Sequence, residues 1–193
     1  MQSDSDIVDD IIKDHREVEE IYKRYKASPN TEEGRKWFNQ FMWELCRHSV
    51  AEELVMYNMM ESINDKGKEL GEKSRQDHRK LKVMLEDLRK ETNETAFEKK
   101  FDDLFTTLMS HIKMEESEDL PFIKQNVSLE KRQAAAKTFS MKKMLAPTYP
   151  HPEVPDKPTA LEAALGLLAK PIDKIRDMFK EFPSKAEMEP LSK

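Results

Sequence analysis

A histidine pattern that recurs with an offset of 63 residues constrains this chain more than any other feature. His15 lies in Asp14-His15-Arg16, and His48 follows 33 residues later, heading His48-Ser-Val-Ala-Glu52-Glu53. His78 lies in Asp77-His78-Arg79, and His111 follows after the same 33 residues, heading His111-Ile-Lys-Met-Glu115-Glu116. Apolar positions repeat with the block: Val18 with Leu81, Tyr22 with Leu85, Phe38 with Phe101, Leu45 with Leu108. Of the five histidines in the chain, four lie on this lattice. A duplicated pattern with helical spacing reads as two helical hairpins that share one site.

Four long segments carry the 3.6-residue apolar rhythm, which predicts an all-α, up-down-up-down four-helix bundle within residues 1–126. Their stripes run from Ile7 to Tyr25, Phe38 to Met59, Leu70 to Leu88, and Phe97 to Glu115. Asn30 with Glu33, and Thr95 with Glu98, fit capping boxes, in which side chains satisfy the free amides of a first helical turn. Asn64 to Gly67 separates the second and third helices, and Pro121 is expected to close the fourth. A further helix is expected over 127–146, then a Pro-rich linker over 147–158. An amphipathic helical tail over 159–193 should pack on the bundle. In that tail Thr159 and Glu162 form another capping box, and Leu161, Leu165, Leu168, Ile172, Ile175 and Phe179 make a stripe with a break near Pro171.

Composition closes off several function classes. A net charge of −5 gives no concentrated basic surface for nucleic acid. No apolar run approaches a membrane span, and the acidic start MQSDSDIVDD lacks the order of a signal peptide. A single cysteine, Cys46, cannot form an internal disulfide, which fits a reducing compartment. The expectation is a cytoplasmic chain without a membrane partner, the tail's protein partner being left open.

The ionisable residues carry the chemistry. His15, His48, His78 and His111 each fall on a core-facing stripe. Glu52 and Glu115 lie four residues after a histidine, on the same face one turn on. Burying an unpaired carboxylate costs several kcal/mol, and no Lys or Arg repeats on those stripes, so a cation is the expected partner. His15, His48, Glu52, His78, His111 and Glu115 together make a dinuclear ligand set. A mixed nitrogen and oxygen shell without thiolate fits iron and manganese better than structural zinc, and two iron ions, oxo- or hydroxo-bridged, are the first choice because a paired site has redox work to do. Glu19 is a weak extra candidate, because its counterpart in the repeat is Lys82. Glu53 and Glu116 are expected to point off the ligand face, and His151 to be a surface residue.

These residues resemble the hemerythrin-like HHE cation-binding domain: His48-x-x-x-Glu52 and His111-x-x-x-Glu115, the Asp-His-Arg openings, and the segments Glu52-Glu53-Leu-Val-Met-Tyr and Glu115-Glu116-Ser-Glu-Asp-Leu-Pro-Phe. The resemblance covers residues 5 to about 125 and implies a non-haem di-iron centre. By its pattern His15 and His48 would bind one iron, His78 and His111 the other, and Glu52 and Glu115 would bridge. The tail is similar to extensions on HHE proteins of filamentous fungi. Oxygen-carrying members use a fifth histidine on the third helix; here Ser74 and Lys82 flank His78 instead, leaving one position open on each metal. That implies redox processing of O2, NO or H2O2. Two other readings stand beside it: an iron or oxygen sensor or store without turnover, and a di-iron oxygenase acting on an organic substrate. Whether the chain is an enzyme is left open.

Overall fold

In the computed structural model, which describes residues 5–154, 173, 176–178 and 180–191, every regular element is a helix. Helix α1 spans Ile7–Ala27. Helix α2 runs Glu32–Ala51, loosens into a π turn at Glu52–Met56 and resumes as Tyr57–Glu61. Helix α3 spans Asp65–Lys90. Helix α4 repeats the construction of α2, with Glu94–Met114, a π turn at Glu115–Asp119 and a final Leu120–Asn126. Helix α5 spans Leu129–Leu145 and a short α6 spans Lys185–Met188. None of these helices is long and apolar enough to cross a membrane.

The helix starts are set by side chains that accept from orphaned amides. Asp6 accepts from Val8, Thr31 from Gly34, Asn64 from Gly67 and Asn93 from Ala96. Two starts therefore differ from the capping boxes predicted at Asn30 and Thr95. Asn30 adopts φ 58, the left-handed conformation the Ser28-Pro29-Asn30 turn needs, and hands the cap to Thr31. Asn93 closes a three-residue link after α3 and caps before Thr95 is reached.

Pro121 does not end α4. Proline inside an α-helix lacks a donor and crowds the carbonyl one turn back. Here it follows the π turn directly, at the first turn of Leu120–Asn126, where that hydrogen-bond ladder has already been reset.

Two apolar layers enclose the polar middle of the molecule. One holds Val18, Tyr25, Phe38, Phe41, Phe101 and Leu108, where aromatic rings meet edge to face. The other holds Ile7, Ile11, Met56, Met60, Leu120 and Ile123. Each such side chain contributes about 1.5–3 kcal/mol on burial, so the polar site is clamped between two strongly stabilised layers. Helix α5 packs across α1 and α2, with Lys143 Nζ 2.7 Å from Asp14 Oδ1 and Arg132 Nε 2.8 Å from Asp6 Oδ2.

After α5 the chain returns to the bundle. Tyr149 is buried in the aromatic layer, and Asn39 Nδ2 donates to the Glu181 carbonyl at 2.9 Å. His151, expected as a surface residue, is only 25% exposed and lies 3.1 Å from buried Asp173. The predicted stripe from Leu161 to Phe179, the break at Pro171 and the Thr159–Glu162 capping box lie outside the described residues.

Candidate metal centre

The six predicted side chains converge between the two apolar layers. Glu52 and Glu115 are 0% exposed, and each histidine is 4% exposed or less. His78 and His111 meet with their Nε2 atoms 3.0 Å apart. His15 and His48 form the other pair, with ring centroids 5.1 Å apart. The carboxylates span both pairs. Glu52 Oε2 lies 3.1 Å from His48 Nε2 and 3.5 Å from His78 Nε2, while Glu115 lies 3.3 Å from both His111 Nε2 and His15 Nε2. Among the described residues these groups form two clusters able to hold a metal ion: His15, His48 and Glu52, and Glu52, His78, His111 and Glu115.

The cluster is underpartnered. Both oxygens of Glu52, Oε2 of Glu115 and Nε2 of His15 are buried with no hydrogen bond. Each such group costs about 1–3 kcal/mol when left unmet. Four in one pocket, all with lone pairs directed inward, match the donor set of a metal cation.

The outer face of each imidazole meets a carboxylate. His48 Nδ1 lies 3.0 Å from Asp14, and His111 Nδ1 lies 3.6 Å from Asp77. The remaining two partners are exchanged between the hairpins. Glu53, on α2, lies 3.0 Å from His78 Nδ1 on α3, and Glu116, on α4, lies 2.9 Å from His15 Nδ1 on α1. Each exchanged acid has a cation behind it: Lys82 for Glu53 at 2.7 Å, and Arg16 for Glu116. For His48, His78 and His15 these hydrogen-bonding partners fix the ring orientation and the tautomer that offers Nε2 to a metal, whereas His111 Nδ1 makes no hydrogen bond.

A model of the hemerythrin HHE cation-binding domain matches residues 6–123. The chain belongs to that family. An uncharacterized hemerythrin-like protein of Schizosaccharomyces pombe is 40% identical over 179 residues, covering 92% of this chain and 88% of its own length. A DNA nickase of Nostoc sp. is 26% identical over 145 residues, 74% of this chain but only 40% of that protein. No solved structure matches.

One expectation about this hemerythrin-type site is overturned. Glu53 and Glu116 do not point away from it. An α-helix turns 100° per residue, but a π turn closes with an i to i+5 hydrogen bond, seen as Tyr57 N–H to Glu52 O and Leu120 N–H to Glu115 O. The widened turn lets two consecutive glutamates serve the site, one inside it and one on the facing hairpin's histidine. Cations do lie near the site, although, as expected, none repeats between the hairpins. Lys82 is 13% exposed against Glu53, and buried Arg75 pairs with Glu61 at 2.8 Å. Glu19 is occupied by Arg16 instead of the site.

Residues that the sequence reading passed over complete the floor. Tyr57 places its hydroxyl 2.8 Å from both His78 Nε2 and Glu115 Oε1. Asp119, 0% exposed, accepts from Ser74 Oγ at 2.7 Å. Burial, with Glu115 nearby, pushes the Asp119 carboxyl up to about 7 despite the Ser74 hydrogen bond. Its place four residues after Glu115 was the available signal.

Electrostatically the histidines behave as if awaiting charge compensation. Burial opposes protonation of His48, but Glu52 and Asp14 outweigh it and raise the ring to about 10. Burial likewise opposes charge on His111, yet Glu115 and Asp77 bring it to about 10. Burial favours the neutral form of Glu115, but His111 and His15 hold it well below the ordinary carboxylate range. Without a metal, protons supply the positive charge the acids require. A cavity of about 10 Å³ touches all four ligand-type histidines and is otherwise lined mainly by Val18, Leu45, Leu108 and Ile112.

Proposed function

We propose that this chain is a non-haem di-iron protein that binds and redox-processes a small diatomic or peroxide ligand, O2, NO or H2O2, in the cytoplasm. On this reading its four long helices run up-down-up-down. His15 and His48 hold one iron, His78 and His111 the other, and Glu52 and Glu115 bridge them. The observation that carries it is the group of buried, unbonded carboxylate and imidazole atoms facing one another. Bound iron would supply electrons and an open coordination position.

The chain's own residues do the rest. The exchanged Glu53 and Glu116 hold His78 and His15 with Nε2 inward, and Asp14 does the same for His48. Val18, Leu45, Leu108 and Ile112 keep bulk water from the ligand side. A cavity of about 10 Å³ is near the size that holds one water-sized molecule. That size favours a diatomic or peroxide over the organic substrate an oxygenase would need. The acidic balance of −5 gives no reason to carry over the activity of the nickase relative.

The test is expression with iron and purification in air. Close to two irons per chain and an oxo-to-iron absorption band that disappears on reduction are expected. Zinc, or no metal, would end the reading.

A sensor or store without turnover is favoured by one contact: Lys143 of α5 reaches Asp14, which holds His48. In that case proteolysis of the segment after Pro147 should differ with and without iron.

A further inference from the structure

We infer that Tyr57 is a fifth protein ligand, bound through its phenol oxygen to the metal of the His78–His111 pair. The inference rests on the di-iron reading and sharpens it. Tyr57 is fully buried, and its hydroxyl lies among atoms already assigned to that metal. The separations are 2.8 Å to His78 Nε2 and 2.8 Å to Glu115 Oε1. The same set has His78 Nε2 3.0 Å from His111 Nε2, and His111 Nε2 3.3 Å from Glu115 Oε1. Neighbouring vertices of an octahedron with bonds of about 2.1 Å lie about 3.0 Å apart. The phenol oxygen is thus spaced from its neighbours as one vertex of a coordination shell is from the next.

The repeat supplies an independent observation. Tyr57 corresponds to Leu120, which is buried and carries no donor. Ser74 and Asp119, on the same floor, correspond to Ile11 and Met56. At these three positions the polar member of each repeat pair therefore lies beneath the His78–His111 pair. Coordination exchanges the phenol O–H bond for a metal–oxygen bond, the proton passing to solvent, with no change of oxidation state.

The consequence is an unequal pair. The His78–His111 metal gains a tyrosine and has no open position once bridged. The His15–His48 metal keeps one, and the cavity that reaches all four histidines receives the small ligand there.

The experiment is resonance Raman and visible absorption of the air-oxidised, iron-loaded chain. Expected are a phenolate-to-iron absorption band and enhanced tyrosine-ring vibrations that shift when the protein is made with ring-deuterated tyrosine. Tyr57→Phe should abolish the band. Tyr22→Phe and Tyr25→Phe, whose hydroxyls bond Asp102 and Glu98 away from the site, should keep it. Two irons with an oxo band but no tyrosine vibrations would overturn this inference and leave the di-iron reading standing. No iron uptake would overturn both. The isotope shift on the native sequence decides the matter even if Tyr57→Phe fails to fold.

Discussion

The two hairpins agree in the histidines and glutamates they turn inward and part company in the residues beneath them. Each supplies an aspartate before its first histidine, a glutamate four residues after its second, and a π turn that begins at that glutamate. Yet Tyr57, Asp119 and Ser74 sit below one pair, against Leu120, Met56 and Ile11 at the matching places. Asp14 is sealed under Lys143 of α5, whereas Asp77 is 40% exposed. Duplication accounts for the six inward side chains, and departures from it make the surroundings of the two histidine pairs chemically unequal.

The largest expected effect comes from the shared elements. Glu115→Ala removes a carboxylate that faces both histidine pairs, and metal analysis should fall from near two irons per chain to below one. Retention of both irons would show that the carboxylates do not bridge.

The exchanged acids separate the hairpins more finely. Glu53→Ala strips His78 of its partner although the two lie on different hairpins, and it strands Lys82. Metal affinity at the His78–His111 position should weaken by about 10–100-fold, and the fold should lose about 3–5 kcal/mol, because a buried pair is broken. Glu116→Ala should act on the other position and more gently, since that carboxylate is 24% exposed. Equal effects on both metals from either change would dissolve the exchange.

Proton linkage gives a third handle. In the metal-free chain His48 and His111 rise from 6.5 to about 10. Their stabilisation is therefore full below pH 6.5 and is lost as pH climbs toward 10. Denaturant titrations of the metal-free chain should show stability falling across that window. Iron affinity should climb across it, because bound metal requires neutral imidazole. Stability that rises over this range would contradict the charge pairing described for the site.

The smallest effect isolates the polar floor. Asp119 has its carboxyl raised from 3.8 to about 7, so it costs stability as pH rises through that interval. Asp119→Asn keeps an acceptor for Ser74 and removes the charge. It should stabilise the metal-free chain at pH 8 by about 1–2 kcal/mol and leave its stability at pH 4 nearly unchanged.

The helices and the six inward side chains were legible because a 3.6-residue rhythm and a 63-residue offset report the same face twice. Most of what escaped at the site traces to the helix geometry. Periodicity assumes a constant 100° step, and the π turns at Glu52 and Glu115 break it. That hid the roles of Glu53 and Glu116 and made Pro121 look like a helix end. The helix starts shifted for a local reason: Asn30 was needed in the left-handed turn, not at the cap. Tyr57 and Asp119 escaped because they lie where the repeat fails, and a search for repetition passes over its exceptions.

Crystals of the iron-loaded chain, measured at the iron absorption edge, test the whole account in one experiment. Two anomalous peaks about 3.5–4 Å apart are expected, one between His15 and His48, the other between His78 and His111, with Glu52 and Glu115 reaching both. A single peak, or imidazoles swung away from the carboxylates, would contradict it.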